Sequence, residues 1–496
     1  MNTYIWYDYE TFGTDPRIDR IAQFAGVRTD ENFNILDKIE FFCTLAKDYI
    51  PNYEAILVTK ITPQDANKKG ISEEKLAREI FKEFTKEGTI SVGYNSLKFD
   101  DEVSRNLFYR TFRDPYVREW QNNCSRWDLM KAVLAFYMQS PEKLNWHMDN
   151  DGKPSFRLEK LSEVNGIIHE KAHDAMSDVI ATVELAKKLY NADKELYDYV
   201  LSLRLKNNVK KSIGEGQVFF HVDFSYSYEN NYFSILYPIN SVQKNPNEVI
   251  FIDLNSDLDI LIESEVEELK NLLYMKKNDL EDLGKTRPGI KVIRINQMPL
   301  LFSWNDFRHK DNLDIEFLKK QLSIAKKIEY QHGNKLAKVF EYEQSEAHAN
   351  VDLDIYGAFP SVADKRQFEL IHKDPKNYKP IFHNKKYNEL YFRWKAKNYT
   401  DLLSEEDLER WNKHCYDTLF DLVDNFGQLS FQSFEEKIYR AKEEYKDKVE
   451  DLELILKLEK YVNQLKIEIK KNIAKNSKEE NKTKKSKQKI ENLKLF

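Results

Sequence analysis

A chain of 496 residues is too long for one ordinary core and calls for two to four domains. With 41% hydrophobic and 13% aromatic residues it packs as globular domains rather than staying disordered, while a formal net charge of −6 does not announce a nucleic-acid binder, so any basic strip must be local. Three dispersed cysteines (Cys43, Cys124, Cys415) form no CxxC pair, which argues against a disulfide framework or zinc cluster and fits a reducing cytoplasm.

Tyr4 to Glu10 reads as a strand, with more strand-like runs at Arg20 to Val27, Ile35 to Cys43 and Ile90 to Tyr94. Helical spacing marks Glu73 to Glu87, Glu102 to Phe112 and Met176 to Tyr190. Strands followed by interleaved helices predict an α/β sheet domain over 1–193. Short aromatic strands at Val218 to Phe224, Tyr232 to Leu236, Val249 to Leu254 and Ile290 to Ile295 predict a β-rich domain over 194–345. A helical domain follows over 346–470, with long amphipathic segments at Glu406 to Phe420 and Phe434 to Leu465. The lysine-rich end, 471–496, has few apolar residues and is expected to fray; it can touch DNA, but a solvated terminus is the simpler reading. No apolar run approaches the ~20 residues needed to span a bilayer, and no basic-then-apolar leader opens the chain.

Three short motifs carry candidate chemistry. Asp8 and Glu10 sit two apart on the opening strand, so both point to one face, opposite Ile5 and Tyr7. Two carboxylates held together repel unless a cation joins them, and hard oxygen ligands suit Mg²⁺ or Mn²⁺. Taken alone, this DxE is as easily a wet polar face. Asp100 closes the turn Gly93 to Asp100 at the start of a helix, where an aspartate is also a good N-cap. His173 precedes a helix that Asp174 can cap, and Asp178 lies one turn in. Histidine near a metal site can serve as general base. The pair His173-Asp174 also admits an HD-type phosphohydrolase, but only His147 and His169 lie nearby to complete one.

In combination these motifs are far more specific. The order DxE, N-x-x-x-F-D, H-x-x-x-x-D resembles the DEDD exonuclease superfamily in its histidine-bearing branch. Longer stretches (DYETFGTDPRIDRIAQFAGVRTD, GYNSLKFDDEVSRNLFYR, SRWDL, PSFRLEKL, AHDAMSDV, VDLDIYGAF, LYFRWKAKNY) resemble bacterial exonuclease I, from about Tyr4 to Leu465. The resemblance implies an α/β, ribonuclease-H-like exonuclease domain, then an SH3-like β-barrel domain and an all-α C-terminal domain, enclosing a groove for single-stranded DNA. It implies a processive 3′→5′ exodeoxyribonuclease releasing 5′-mononucleotides, with a role in DNA repair and recombination. Two Mg²⁺ ions about 4 Å apart (Mn²⁺ can substitute) are expected on Asp8, Glu10, Asp100 and Asp178, with Asp8 bridging and His173 taking the proton of the attacking water. Asp101 and Asp174 match no motif carboxylate and are left as structural.

By the same likeness Arg157 and Glu10 hold the 3′-terminal nucleotide, Arg105 meets the strand, and Tyr116 and Trp120 stack on terminal bases. Lys206 lies in a basic stretch with Arg204, Lys210 and Lys211, while Asn247 and Tyr356 line the path from the other two domains. Leu134 departs from the pattern where a basic contact is usual, which Lys131 can replace, and Phe224 to Ile235 lacks turn glycines. The family also binds the acidic C-terminal tail of single-strand-binding protein. Arg308, Lys310 and Lys319 do not align cleanly with that pocket, which stays unassigned. A monomer in the bacterial cytoplasm is expected. Two rivals remain: another DEDD nuclease, such as an oligoribonuclease or proofreading subunit, and a binding scaffold that has lost catalysis.

Overall fold

The computed structural model describes residues 2–169, 173–214, 217–242, 244–310, 313–341, 347–357, 359–423 and 426–493, with side chains (Asn230 and Asn240 apart) as far as Lys475. The boundary expected at 345/346 and the last residues of the lysine-rich end, 494–496, lie outside the described residues.

The first sheet is built on β1 (Thr3–Thr11), β2 (Ile21–Thr29), β3 (Ile35–Phe42), β4 (Thr89–Gly93) and β5 (Ser125–Asp128), in the order β3-β2-β1-β4-β5. β1 runs antiparallel to β2 and parallel to β4, and β4 runs parallel to β5. Period-2 alternation along β1 divides its side chains between two buried clusters. Tyr4 and Trp6 pack with Val179, Val183 and Ala186 of the helix Ala175–Ala192. Ile5, Tyr7 and Tyr9 pack with Leu76 and Ile80 of the helix Glu73–Phe84 and with Val103 and Leu107 of the helix Asp100–Arg110. Asp8 and Glu10 continue the Tyr4 and Trp6 face, so they sit under the helix that carries Asp178. Because β4 is parallel to β1, the turn after β4 opens at the same sheet edge as the acidic end of β1. Gly93 makes that turn possible: a Cβ there would lie 2.5 Å from Ser96 Cβ.

The second sheet comprises β6 (Phe219–Val222), β7 (Phe233–Val242), β8 (Asn245–Asp253), β9 (Ile290–Arg294) and β10 (Leu300–Ser303), antiparallel throughout in the order β10-β6-β7-β8-β9. The glycine-poor connection before β7 turns through Asn231 (φ 49°) and Tyr232 (φ 55°), which take the left-handed backbone usually left to glycine. The helix Ile315–Val339 lies against this sheet, Tyr237 donating to Glu329 Oε2 at 2.7 Å.

The helices Val362–Lys373, Lys386–Asn398, Glu405–Leu419, Phe431–Glu444 and Val449–Leu493 make the third part. The single helix expected over Phe434 to Leu465 is instead two. The chain reverses at Tyr445–Lys448, where the apolar repeat lapses, and Phe434, Ile438 and Ala441 join a cluster with Ile455, Leu458 and Val462. The lysine-rich end, expected to fray, continues the last helix in backbone to Leu493.

Apolar clusters lock the first and third parts together. Phe12, Tyr49 and Ile56 share one with Trp411 and Phe431, and Tyr109 and Phe112 share another with Ile371, Tyr387 and Trp394. At their border Asp48 and Asp352 both pair with Lys397, at 3.0 and 2.9 Å. No helix among the described residues is long and apolar enough to cross a membrane.

Candidate active site

Carboxylate oxygens of Asp8, Glu10 and Asp178 lie within 4.8 Å of one another, two from β1 and one from the helix above it. Asp100 joins them from the neighbouring turn. It is the first residue of its helix, with Phe99 at the cap position, so the N-cap reading of Asp100 does not hold. Its Oδ1 accepts the Tyr9 N–H at 3.3 Å, which ties the helix start to the acidic end of β1. Asp128 shapes the same turn, accepting N–H bonds from Asn95 (2.8 Å) and Leu97 (3.2 Å).

The cluster is electrostatically unbalanced. Burial first, then Asp100, Glu10 and Asp178, push the Asp8 carboxyl well above the usual range. Burial and then Asp178 and Asp100 raise Glu10 to about 9, while burial and then Asp101 raise Asp100 to about 8. Burial also raises Asp178, against the opposing hydrogen bond from His169. The charges acting most strongly on Asp8 and Glu10 are thus other carboxylates, and among the described residues no lysine or arginine pairs with either. Hard oxygen donors gathered without a cationic side chain fit a small divalent cation, which offsets their repulsion.

The wall of the site is a cavity of about 440 Å³ lined by Asp8, Asn95, Arg157, His169, His173 and Asp178, among others. His173 is exposed and stands in the left-handed region (φ 65°), a strained posture for a non-glycine residue. Its backbone N–H donates to Asp178 Oδ2 at 3.2 Å. The imidazole that touches Asp178 belongs to His169, whose Nε2 hydrogen-bonds Oδ1. Sequence spacing did not single out His169, because no strand or helical period links it to Asp178. Arg157 is 68% exposed in its side chain and donates to Glu159 at 2.7 Å.

The two acids set aside as structural behave so. Asp174 caps its helix through Ser177 N at 3.1 Å. Asp101, 1% exposed, accepts from Tyr7 (2.7 Å), Arg126 (2.5 Å) and Arg118.

The DNA-contact candidates fall into two places. Trp120, 67% exposed, and the half-buried Tyr116 lie on the exonuclease side, and Phe359 of the helical part meets Tyr116 edge-on at 6.3 Å. Tyr356 donates to Glu102 at 2.7 Å across the same border. Arg105 is 9% exposed and bound to Glu102 and Glu119, with its guanidinium 5.2 Å from the ring of Tyr116, a fellow candidate. Elsewhere Lys206 and Asn247 come together at 3.5 Å between Nζ and Oδ1. Lys131 does not replace a phosphate contact at Leu134: its amine is spent on the carbonyls of Gln297 (3.0 Å) and Met298 (3.2 Å), and Leu134 is core. Arg308 pairs with Asp193, Lys310 with the Trp304 carbonyl and Lys319 with Glu316.

Family models match in series: an exonuclease over residues 5–186, an exonuclease I SH3-like domain over 204–342 and an exonuclease I C-terminal domain over 349–465. Exodeoxyribonuclease I of Haemophilus influenzae is 36% identical over 469 residues, covering 92% of this chain and 97% of that protein. The zinc-bound crystal form of the Escherichia coli exonuclease I–ssDNA complex superimposes with a TM-score of 0.86 at 34% identity, covering 94% of this chain and 100% of that one. An exonuclease I complex with SSB-Ct gives 0.85 at 33% identity, over 94% and 99%. The chain belongs to the exonuclease I family.

Proposed function

We propose that this chain is a 3′→5′ exodeoxyribonuclease that degrades single-stranded DNA processively to 5′-mononucleotides. The observation that carries the reading is the convergence of Asp8, Glu10 and Asp178, with Asp100 beside them, on a cavity that also holds His173 and Arg157. Its metal dependence is on divalent ions, which we assign as two Mg²⁺, with Mn²⁺ as substitute. Asp8, Glu10, Asp100 and Asp178 would hold them. When bound, such ions would make water more acidic and offset negative charge on the departing 3′ oxygen.

The remaining work falls to side chains. Arg157 meets the terminal phosphate with its exposed guanidinium. His173 accepts the proton of the attacking water. The water oxygen bonds to phosphorus, the P–O3′ bond breaks, the 3′ oxygen stays on the shortened strand, and a 5′-mononucleotide leaves. Trp120 and Tyr116 stack on bases, a sequence-tolerant contact. Arg105, packed beside Tyr116, meets the strand there. Lys206 and Asn247 track the backbone on the barrel side, and Tyr356 borders the path from the helical part. We place the chain as a monomer in the bacterial cytoplasm, acting in DNA repair and recombination. By likeness to the SSB-Ct complex it binds the acidic C-terminal tail of single-strand-binding protein, at a pocket left unassigned.

The test is digestion of one oligonucleotide labelled at its 3′ or 5′ end, with Mg²⁺ and with chelator. Label leaves the 3′-labelled strand first as mononucleotide, and chelator stops the reaction. Equal degradation of matched RNA would overturn the DNA assignment and favour the oligoribonuclease-like rival.

A further inference from the structure

Asp178 is held by two donors, one of which has no place in the mechanism above. His169 Nε2 bonds its Oδ1, and the His173 N–H bonds its Oδ2. The His169 side chain is 6% exposed, so it is buried at the floor of the cavity rather than offered to substrate as His173 is. Its Nδ1 is buried without a hydrogen-bond partner among the described residues. Among the described residues its one side-chain hydrogen bond goes to the Asp178 carboxylate.

We propose that His169 is a positioning residue of the nuclease reaction: it fixes the plane of the Asp178 carboxylate so that its oxygens point at the cation shared with Asp8 and Glu10. Asp178 stands one turn into its helix, where other rotamers would swing it away from β1. Two tethers on opposite oxygens remove that freedom, and each oxygen keeps a lone pair for a cation. Outer hydrogen-bond partners of this kind orient ligands and set affinity. The proposal rests on the nuclease reading above.

The experiment compares full-length wild type, His169→Ala, His169→Gln and His173→Ala. Mn²⁺ binding is measured by calorimetry without DNA, and hydrolysis of a 3′-labelled strand across a Mg²⁺ series. His169→Ala should bind Mn²⁺ about 10–100-fold more weakly and need correspondingly more Mg²⁺, with kcat largely recovered at saturation. His169→Gln, whose amide N–H can reach the same oxygen, should restore most of the affinity, which a general packing defect would not allow. His173→Ala should keep Mn²⁺ binding and lose kcat at every Mg²⁺ concentration. Unchanged or tighter Mn²⁺ binding by His169→Ala would overturn the proposal, since His169 would then be idle or competing with the cation. Loss of kcat in His169→Ala at all Mg²⁺ levels with binding intact would overturn it too. A wild type that neither binds Mn²⁺ nor cleaves DNA would instead defeat the nuclease reading itself.

Discussion

Glu74 joins the exonuclease and helical parts and gives a stability prediction with a worked magnitude. Its carboxylate is 5% exposed and takes both Arg113 amines, at 2.6 and 3.0 Å, the Trp394 indole N–H at 2.9 Å, and His372 at 3.5 Å. Burial would raise this acid, but His372 and Arg113 outweigh it and hold the carboxyl down at about 2, from an ordinary 4.5. At ~1.4 kcal/mol per pKa unit the difference is worth about 3 kcal/mol at neutral pH. Removing one partner of a buried pair typically costs ~3–5 kcal/mol, which agrees. Because the folded value lies below the unfolded one, the stabilisation is complete above pH ~4.5 and falls to less than half by pH ~3. Equilibrium denaturation of wild type and Glu74→Gln should therefore differ by about 3 kcal/mol at pH 7, the gap closing with acid. Equal stabilities at pH 7, or a gap that does not shrink below pH ~4, would refute the reasoning.

Two further substitutions separate binding from folding. Trp120→Ala should weaken single-strand binding by about 1–3 kcal/mol in chelator while the melting transition stays within about 0.5 kcal/mol, because the ring is exposed; unchanged affinity would remove its stacking role. Lys206→Ala should reduce the log–log salt slope of binding by about 0.7, the share of one phosphate on a single strand, and an unaltered slope would place this lysine off the DNA path.

Much of the site was legible because it follows from strand and helix geometry. The two-residue spacing of Asp8 and Glu10 fixes one face, and the alternation of Trp6 and Tyr7 says which face is which. His173 and Asp178 were readable from their helix start, and Asp174 from its capping position. Other features depend on what a distant segment brings. Glu119, which pairs with Arg105, reaches it from a short 3-10 turn beyond that helix, a contact no helical period announces. The reversal at Tyr445–Lys448 carries no glycine or proline, so only the lapse of the apolar repeat marks it. β10 (Leu300–Ser303) is four residues long and was passed over, since its pairing with β6 rather than its own pattern makes it a strand. His169 escaped for the same reason: its contact with Asp178 follows no helical or strand period.

The central claim is that carboxylates far apart in sequence form one metal-dependent hydrolytic centre at the edge of the first sheet. Its most direct test is the rate of mononucleotide release from a 3′-labelled single strand by Asp8→Ala at saturating Mg²⁺, with DNA binding followed in the same sample. Loss of this carboxylate should slow release by about 10³-fold or more, roughly 4 kcal/mol of barrier, while the strand stays bound. Release within tenfold of wild type would contradict the account.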